Sequence, residues 1–344
     1  MSFRFTARLP LSRHAVDRDN DARAQPDLFE RLWADAGTRL LPLHKGKALL
    51  AAAPVDGAPP RLQLLAPADL PAVLPASALL VYLGRSLAED APEPVGTALV
   101  AVPLDDEQAA LLEPDPSGWV GLREYATLLS DRDTGILTES LGILHWHESH
   151  PHCPRCGAAT EVRSGGWVRH CPVDGSQVFP RTDAAVIVLI TDDLDRVLLG
   201  SNAMWEATRY SLLAGFVEPG ESFESAVVRE VFEESGMRVA DPVYRGSQPW
   251  PFPASIMVGF TARLADGQLS GGLVPDGTEI LDLRWFSRAE LSDADNGIIL
   301  PGPSSIARAL IDDWLARPAA VTTDTEPTDT EPADIAPGQV RHGV

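Results

Sequence analysis

Three glutamates, Glu230, Glu233 and Glu234, fall at i, i+3 and i+4 in REVFEESGM. On an α-helix this spacing confines their carboxylates to an arc of about 100°. Like charges so close destabilise an isolated helix, and a divalent cation would neutralise them. Hard oxygen donors suit Mg²⁺ or Mn²⁺ better than zinc. A second reactive group, Cys153, Cys156 and Cys171, is crowded into a short segment, with Asp174 where a second C-x-x-C would place its last cysteine. Thiolates at this spacing hold Zn²⁺ tetrahedrally and a carboxylate can complete the set, so a structural Cys₃Asp site is predicted. His170 and His152 are alternative fourth ligands, and a ribbon with three reduced thiols is the competing reading. His145, His147, His150 and His152 scatter around a helix and are read as no metal site.

The glutamates require a helix over Phe223 to Ser235, with Ser222 as N-cap and Gly236 just past its end. Phe223, Val227 and Val231 give it an apolar stripe that packs on a sheet. Strands are expected at Ala184 to Thr191, Arg196 to Gly200, Ser211 to Ala214, Ile256 to Arg263 and Leu283 to Phe286, and a second helix at Ser305 to Ala316, introduced by Ser304. Between them lies SQPWPFPAS, in which three prolines hold an extended backbone and present Trp250 and Phe252 as a stiff ledge suited to a flat ring.

The 344 residues carry 28 Lys and Arg against 49 Asp and Glu, a net charge of -21. Such a chain repels polyanions at long range, which excludes DNA coating and binding to anionic membranes. The longest apolar run, Ala184 to Ile190, is too short to span a bilayer, the N-terminus lacks a signal-peptide core, and a cytoplasmic protein is expected. Residues 1–135 show short strand-like runs (Leu40 to Leu43, Ala78 to Gly84, Val95 to Leu104) and predict a β-rich domain. Residues 136–181 predict a linker helix and a zinc ribbon, and 182–316 a mixed α/β domain. Residues 317–344, with TDTEP twice, predict a disordered acidic tail. No repeat is visible across the body of the chain.

Gly215, Glu221, Arg229-Glu230-Val231, Glu233-Glu234 and Gly236-Met237 resemble the Nudix hydrolase box at each fixed position, and SQPWPFPAS looks like the signature of NADH pyrophosphatases. The resemblance implies an α/β fold: a Nudix α/β/α sandwich with a zinc-ribbon insert and a β-rich N-terminal domain. It implies an NAD(H) diphosphatase that splits NADH or NAD into NMN(H) and AMP, with removal of NAD caps from RNA 5′ ends as an extension of the same chemistry. It assigns Mg²⁺ or Mn²⁺ ligation to Glu230, Glu233, Glu234, Glu279 and the carbonyl of Ala214, with Arg229 orienting the carboxylates. Substrate contacts are assigned to Gln248, Pro249, Trp250, Pro251, Phe252, Pro253, Ala254 and Ser255, and also to Arg123 and Ala307. Phe179 is likewise assigned to the substrate, although it stands where the family often has Tyr, and Gly166 stands where a substrate-contacting Glu is expected. Relatives commonly form homodimers. The rival reading is a catalytically silent module that senses a dinucleotide, and the complete glutamate set opposes it.

Overall fold

The computed structural model describes residues 5–52, 58–70, 78–293 and 295–317; the acidic tail after Arg317 lies outside them. The first part of the chain contains strands β1 (Val16–Asp17), β2 (Arg39–His44), β3 (Lys47–Leu49), β4 (Val81–Ser86), β5 (Ala98–Pro103) and β6 (Trp119–Gly121). Its helices are α1 (Asn20–Arg23), α2 (Leu28–Ala34), α3 (Asp106–Leu112), α4 (Leu122–Tyr125) and α5 (Asp131–Ser149). The strands form one sheet in the order β1-β4-β5-β2-β3-β6. Alternate residues of a strand point to opposite faces, and here both faces are covered. Leu41, Leu43, Leu83 and Leu99 pack with Ile136, Leu137 and Leu141 of α5, whereas Leu40, Tyr82 and Val100 pack with Leu28 and Leu32 of α2 and Ala109 of α3. This region is therefore a helix-sheet-helix sandwich rather than simply β-rich. Helix α5, expected as a linker, is a main element of its core.

A small sheet follows, β7 (Glu161–Arg163), β8 (Val168–His170) and β9 (Gln177–Val178), carrying the cysteines. The rest comprises β10 (Asp183–Thr191), β11 (Val197–Asn202), β12 (Leu213–Phe216), α6 (Phe223–Ser235), β13 (Val239–Trp250), β14 (Ser255–Leu264), β15 (Ile280–Phe286), α7 (Arg288–Ser292) and α8 (Ile306–Leu315). Its sheet runs β13-β14-β10-β11-β15, with β12 also on β10. Strand β10 is apolar throughout because it is covered twice: Val186, Val188 and Ile190 face Ala226, Val227 and Val231 of α6, while Ile187 and Leu189 face Ile306, Leu310 and Ile311 of α8. The expected α/β sandwich is what the chain forms. Phe223, assigned to the apolar stripe, is instead 42% exposed, and Ala226 takes its place. Ser305, not Ser304, caps α8.

The two sheets share one plan. In each, an antiparallel pair (β4 and β5; β13 and β14) is followed by a parallel partner (β2; β10) and then two antiparallel strands (β3 and β6; β11 and β15). Even the minor bridges correspond: Leu40 with Leu65 and Leu50 with Leu62 in the first, Ile187 with Ala214 and Gly200 with Ser211 in the second. The duplication is one of topology, which is why the sequence shows no repeat. What differs is the segment after the central hairpin. The second sandwich places α6 there, whereas among the described residues of the first, only a single 3₁₀ turn, Pro67–Asp69, lies between β3 and β4.

The ribbon docks on the first sheet through Trp167, whose indole N–H donates to the Tyr82 carbonyl at 2.8 Å. Gly166 has φ 93°, and a Cβ there would lie 2.8 Å from the Leu80 carbonyl oxygen, so the position expected to carry Glu admits no side chain. Gly96 has nearly the same φ, 90°, with open space around it. Gly96→Ala should therefore cost about 1 to 2 kcal/mol for left-handed backbone alone. Gly166→Ala should cost about 1 to 3 kcal/mol more for the forced contact. Thermal midpoints of the two variants measure this, and equal losses would show that the ribbon does not bear on Leu80.

Candidate active site

Helix α6 starts where the Ser222 hydroxyl accepts from the Ser225 amide and stops at Gly236, whose φ is 71°. Its Arg229 faces back toward β12 and the turn that follows. That guanidinium meets Glu221 with two parallel bonds of 2.7 and 2.8 Å, Glu230 and Glu233 each at 2.9 Å, and the Phe216 carbonyl at 2.9 Å. Bidentate, charge-assisted bonds of this kind fix orientation as well as charge. They hold the Glu221 carboxyl down at about 2. Glu221 was not among the expected site residues, although its place in the box was the available signal.

Glu230 lies across β12 at Gly215, where a Cβ would sit 2.0 Å from its carboxyl carbon. The glycine leaves room for that close approach, and a side chain there would push the Glu230 carboxyl aside. Burial pushes the Glu230 carboxyl up, against the pull of Arg229. Glu234 is 5% exposed. Burial foremost, then the negative charges of Glu279 and Glu230, push its carboxyl up to about 8, although the Ala214 backbone hydrogen-bonds to it. Its Oε2 is buried without any donor. Glu234 thus feels Glu230 and Glu279 and bonds to the Ala214 backbone, whereas Glu233 turns outward to Arg229 with its side chain 55% exposed. Among the described residues these carboxylates are not drawn as close to one point as the cysteine group of the ribbon. Mutually repelling oxygens, one of them orphaned, are a donor set that a hard divalent cation satisfies, so these residues fit Mg²⁺ or Mn²⁺. Asp276 orients Glu279 by accepting from the Glu279 amide at 2.7 Å.

Beside the acids opens a cavity of about 580 Å³. Ala214, Glu279, Trp250, Arg123 and Ala307, all expected at the site, line it. Arg123 comes from α4 of the first sandwich. Its guanidinium lies 4.1 Å from the Phe252 ring centroid and 5.3 Å from that of Trp250, so the aromatic ledge expected to lie open is covered by a cation. Strand β13, which carries SQPW, was not expected because prolines interrupt it. It is an edge strand, where Pro249 sits opposite Ile256 without disrupting a second neighbour. Gln248 is fully buried behind the ledge, donating to the Ser304 carbonyl at 3.0 Å. Pro249, Pro251, Ala254 and Ser255 face a smaller cavity of about 220 Å³ beside α5, and the Pro253 carbonyl meets His145 at 3.3 Å. Phe179 is exposed and lines neither of these cavities.

The sulfurs of Cys153, Cys156 and Cys171 and a carboxylate oxygen of Asp174 lie within 4.8 Å of one another. Two matching knuckles bring them together. The amide of Cys153 donates to the Ala158 carbonyl and that of Gly157 to Cys153, while the amide of Cys171 donates to Ser176 and that of Gly175 to Cys171. Ser176 holds Asp174 Oδ1 through its amide at 2.9 Å, leaving Oδ2 toward Cys153 Sγ at 3.5 Å. Three sulfurs and one hard oxygen at tetrahedral reach fit Zn²⁺. Neither His170 nor His152 joins the group. His145 and His147 are spent on backbone carbonyls, of Pro251 and Gly166.

Known proteins carry the same parts in the same order. Residues 37–146 match the NADH pyrophosphatase-like rudimentary Nudix domain, 148–179 the NADH pyrophosphatase zinc ribbon domain and 180–302 the Nudix domain. The NAD-capped RNA hydrolase NudC of Mycobacterium bovis (strain BCG / Pasteur 1173P2) is 41% identical over 217 residues, which cover 60% of this chain and 68% of that protein. The protein of the same name from Stutzerimonas stutzeri is 41% identical over 199 residues, covering 58% and 68%. A Nudix hydrolase from Nitrosomonas europaea superposes on 43% of the chain and 82% of its own, with 25% identity and a TM-score of 0.36. The chain belongs to the NADH pyrophosphatase family of Nudix hydrolases.

Proposed function

We propose that the chain hydrolyses the pyrophosphate of NADH or NAD to NMN(H) and AMP. One observation carries this reading: Ala214 and Glu279 line a cavity that SQPWPFPAS borders through Trp250, and the buried Glu234 feels the charges of Glu279 and Glu230 beside it. Mg²⁺ or Mn²⁺ bound there supplies positive charge for the pyrophosphate oxygens and a water of lowered pKa. Arg229 fixes the carboxylates, one of the three helix glutamates accepts the proton of the attacking water, and the phosphoanhydride bond breaks to leave two phosphates. An NAD cap on RNA presents the same bond, so cap removal belongs to the same reading, and the related proteins named for it support it. The knuckles hold Zn²⁺ as a structural ion. On the family resemblance we also infer a homodimer and a cytoplasmic setting; no helix among the described residues is long and apolar enough to cross a membrane.

With NADH and Mn²⁺, AMP should accumulate and chelation by EDTA should stop it. Glu230→Gln and Glu234→Gln should each lower kcat by about 10²- to 10⁴-fold with the fold intact by circular dichroism. No AMP from NADH alongside brisk cleavage of ADP-ribose would move the activity elsewhere in the superfamily. Comparing NAD-capped RNA with free NADH under the same conditions separates the two substrates.

Zinc content gives an independent check on the ribbon. The purified chain should release about one zinc per molecule to a colorimetric chelator. Asp174→Ala should lose that zinc, and Asp174→Cys should keep it more tightly, because thiolate replaces oxygen. Equal zinc in wild type and Asp174→Ala would remove Asp174 from the ligand set.

A further inference from the structure

A dinucleotide has two rings to place, and the ledge offers less open aromatic surface than its sequence suggests, since Arg123 covers it. Three aromatic side chains line the large cavity, Trp205, Tyr210 and Trp250. Tyr210 is buried, with its hydroxyl on Asp282 and its ring edge-on to Phe286 at 5.2 Å. Trp250 meets Phe252 edge-on at 5.0 Å beneath the Arg123 guanidinium. Trp205, 42% exposed, is the aromatic that remains free among these. It sits between β11 and β12 on a segment that is not loose. The Ala203 amide donates to the carbonyl of Glu279 at 2.8 Å, Met204 to the Asn202 side chain at 2.9 Å, and Trp205 to the Asn202 carbonyl at 3.0 Å. The far end is pinned by the Tyr210 amide on Ile299 at 3.0 Å. The segment that carries Trp205 is thereby tied at Ala203 to Glu279. Arg209, held by Glu206 at 2.8 Å, joins Arg123 as the second guanidinium of the cavity wall.

Resting on the diphosphatase reading, we propose that Trp205 is the stacking platform for one ring of the dinucleotide, and that Arg209 beside it binds the adjoining nucleotide phosphate. Neither residue lies in the Nudix box or in SQPWPFPAS, so they form a wall of the substrate site outside both motifs. A base on an aromatic platform and a phosphate on a guanidinium bind in the ground state and the transition state alike, so their loss appears in KM.

The test is steady-state hydrolysis of NADH by the full chain with Mn²⁺, together with inhibition by AMP and by NMN. Trp205→Ala should raise KM about tenfold with kcat within about twofold, and Trp205→Phe should restore most of it, as stacking requires. The inhibition constant of whichever mononucleotide occupies the platform should rise by the same factor. Arg209→Gln should raise KM and that same inhibition constant by about tenfold. Unchanged KM and unchanged inhibition by both mononucleotides in Trp205→Ala would overturn the proposal. A lowered kcat that Phe does not rescue would do so too, marking a merely structural role. Wild type inactive on NADH would instead overturn the diphosphatase reading, so the two failures are separable.

Discussion

Carboxylates crowded on one helix face repel one another, and the surroundings of α6 are organised around that repulsion. Arg229 offsets part of it by meeting Glu221, Glu230 and Glu233 at once. It does not reach Glu234, which stays buried with an orphan oxygen and feels Glu279 and Glu230. The residual repulsion is therefore concentrated at Glu234, which the Ala214 backbone offsets only in part. Gly215 fits this arrangement, because a side chain there would displace the Glu230 carboxyl from its place beside β12. The flanking turn at Pro219-Gly220, the Ser222 cap and the apolar stripe of Ala226, Val227 and Val231 serve to hold this geometry on the sheet. A helix of the same length with neutral side chains would pack equally well and bind nothing.

The first sandwich shows what the plan becomes without those charges. It keeps the strand order and the long covering helix, α5 taking the place of α8. At the start of α5, however, Asp133 accepts from the Leu62 amide at 2.9 Å and pairs with Arg132 at 2.6 Å, and Arg132 also pairs with buried Glu93. An internal ion cluster now stands beside the segment that corresponds to β12. Its charges are satisfied by one another, and breaking such a set by removing one member is costly because a buried charge is left behind. In the second sandwich, by contrast, the buried Glu234 has no cationic side chain among the described residues paired with it, whereas Glu93, Asp133 and Glu139 of the first each meet an arginine.

How much of this was legible in the sequence depends on whether the signal was local. The α6 boundaries, its cap, its C-terminal glycine and the apolar run of β10 follow from periodicity and capping within a few residues, and all appear as expected. Zinc-ligand spacing is local too, and the structure gathers Cys153, Cys156, Cys171 and Asp174. Strand β13 was hidden because Pro242 and Pro249 are strand breakers everywhere except at an edge, and edge position is a property of the assembled sheet. The topological duplication left no residue-level trace, since burial fixes only apolarity and alternation. Phe223 misled for the opposite reason: its spacing was right, but as the first residue of the helix it stays exposed while Ala226, Val227 and Val231 reach the core. Trp205 and Arg209 carry no pattern at all; only the cavity gives them a common purpose.

The contact between the sandwiches follows from the same need for fixed placement. Arg123 belongs to the first sandwich and lines a cavity of the second, so its position is only as certain as the joint between them. That joint is a chain of buried hydrogen bonds. Gln248 donates to the Ser304 carbonyl at 3.0 Å, and the Ser304 hydroxyl donates to the Arg123 carbonyl at 2.6 Å. Buried polar groups of this kind contribute little net stability when paired, yet leaving one unpaired costs about 1 to 3 kcal/mol. The asymmetry favours a single relative orientation, because a small slide strands the Ser304 hydroxyl, the donor that crosses to α4. In that orientation the Arg123 guanidinium lies over Phe252 and Trp250, so SQPWPFPAS acts on both sides of itself: its glutamine anchors α4, and its rings hold the cation that α4 delivers. The signature therefore joins the two sandwiches: its glutamine holds Ser304, which in turn holds α4, and its rings meet the Arg123 cation.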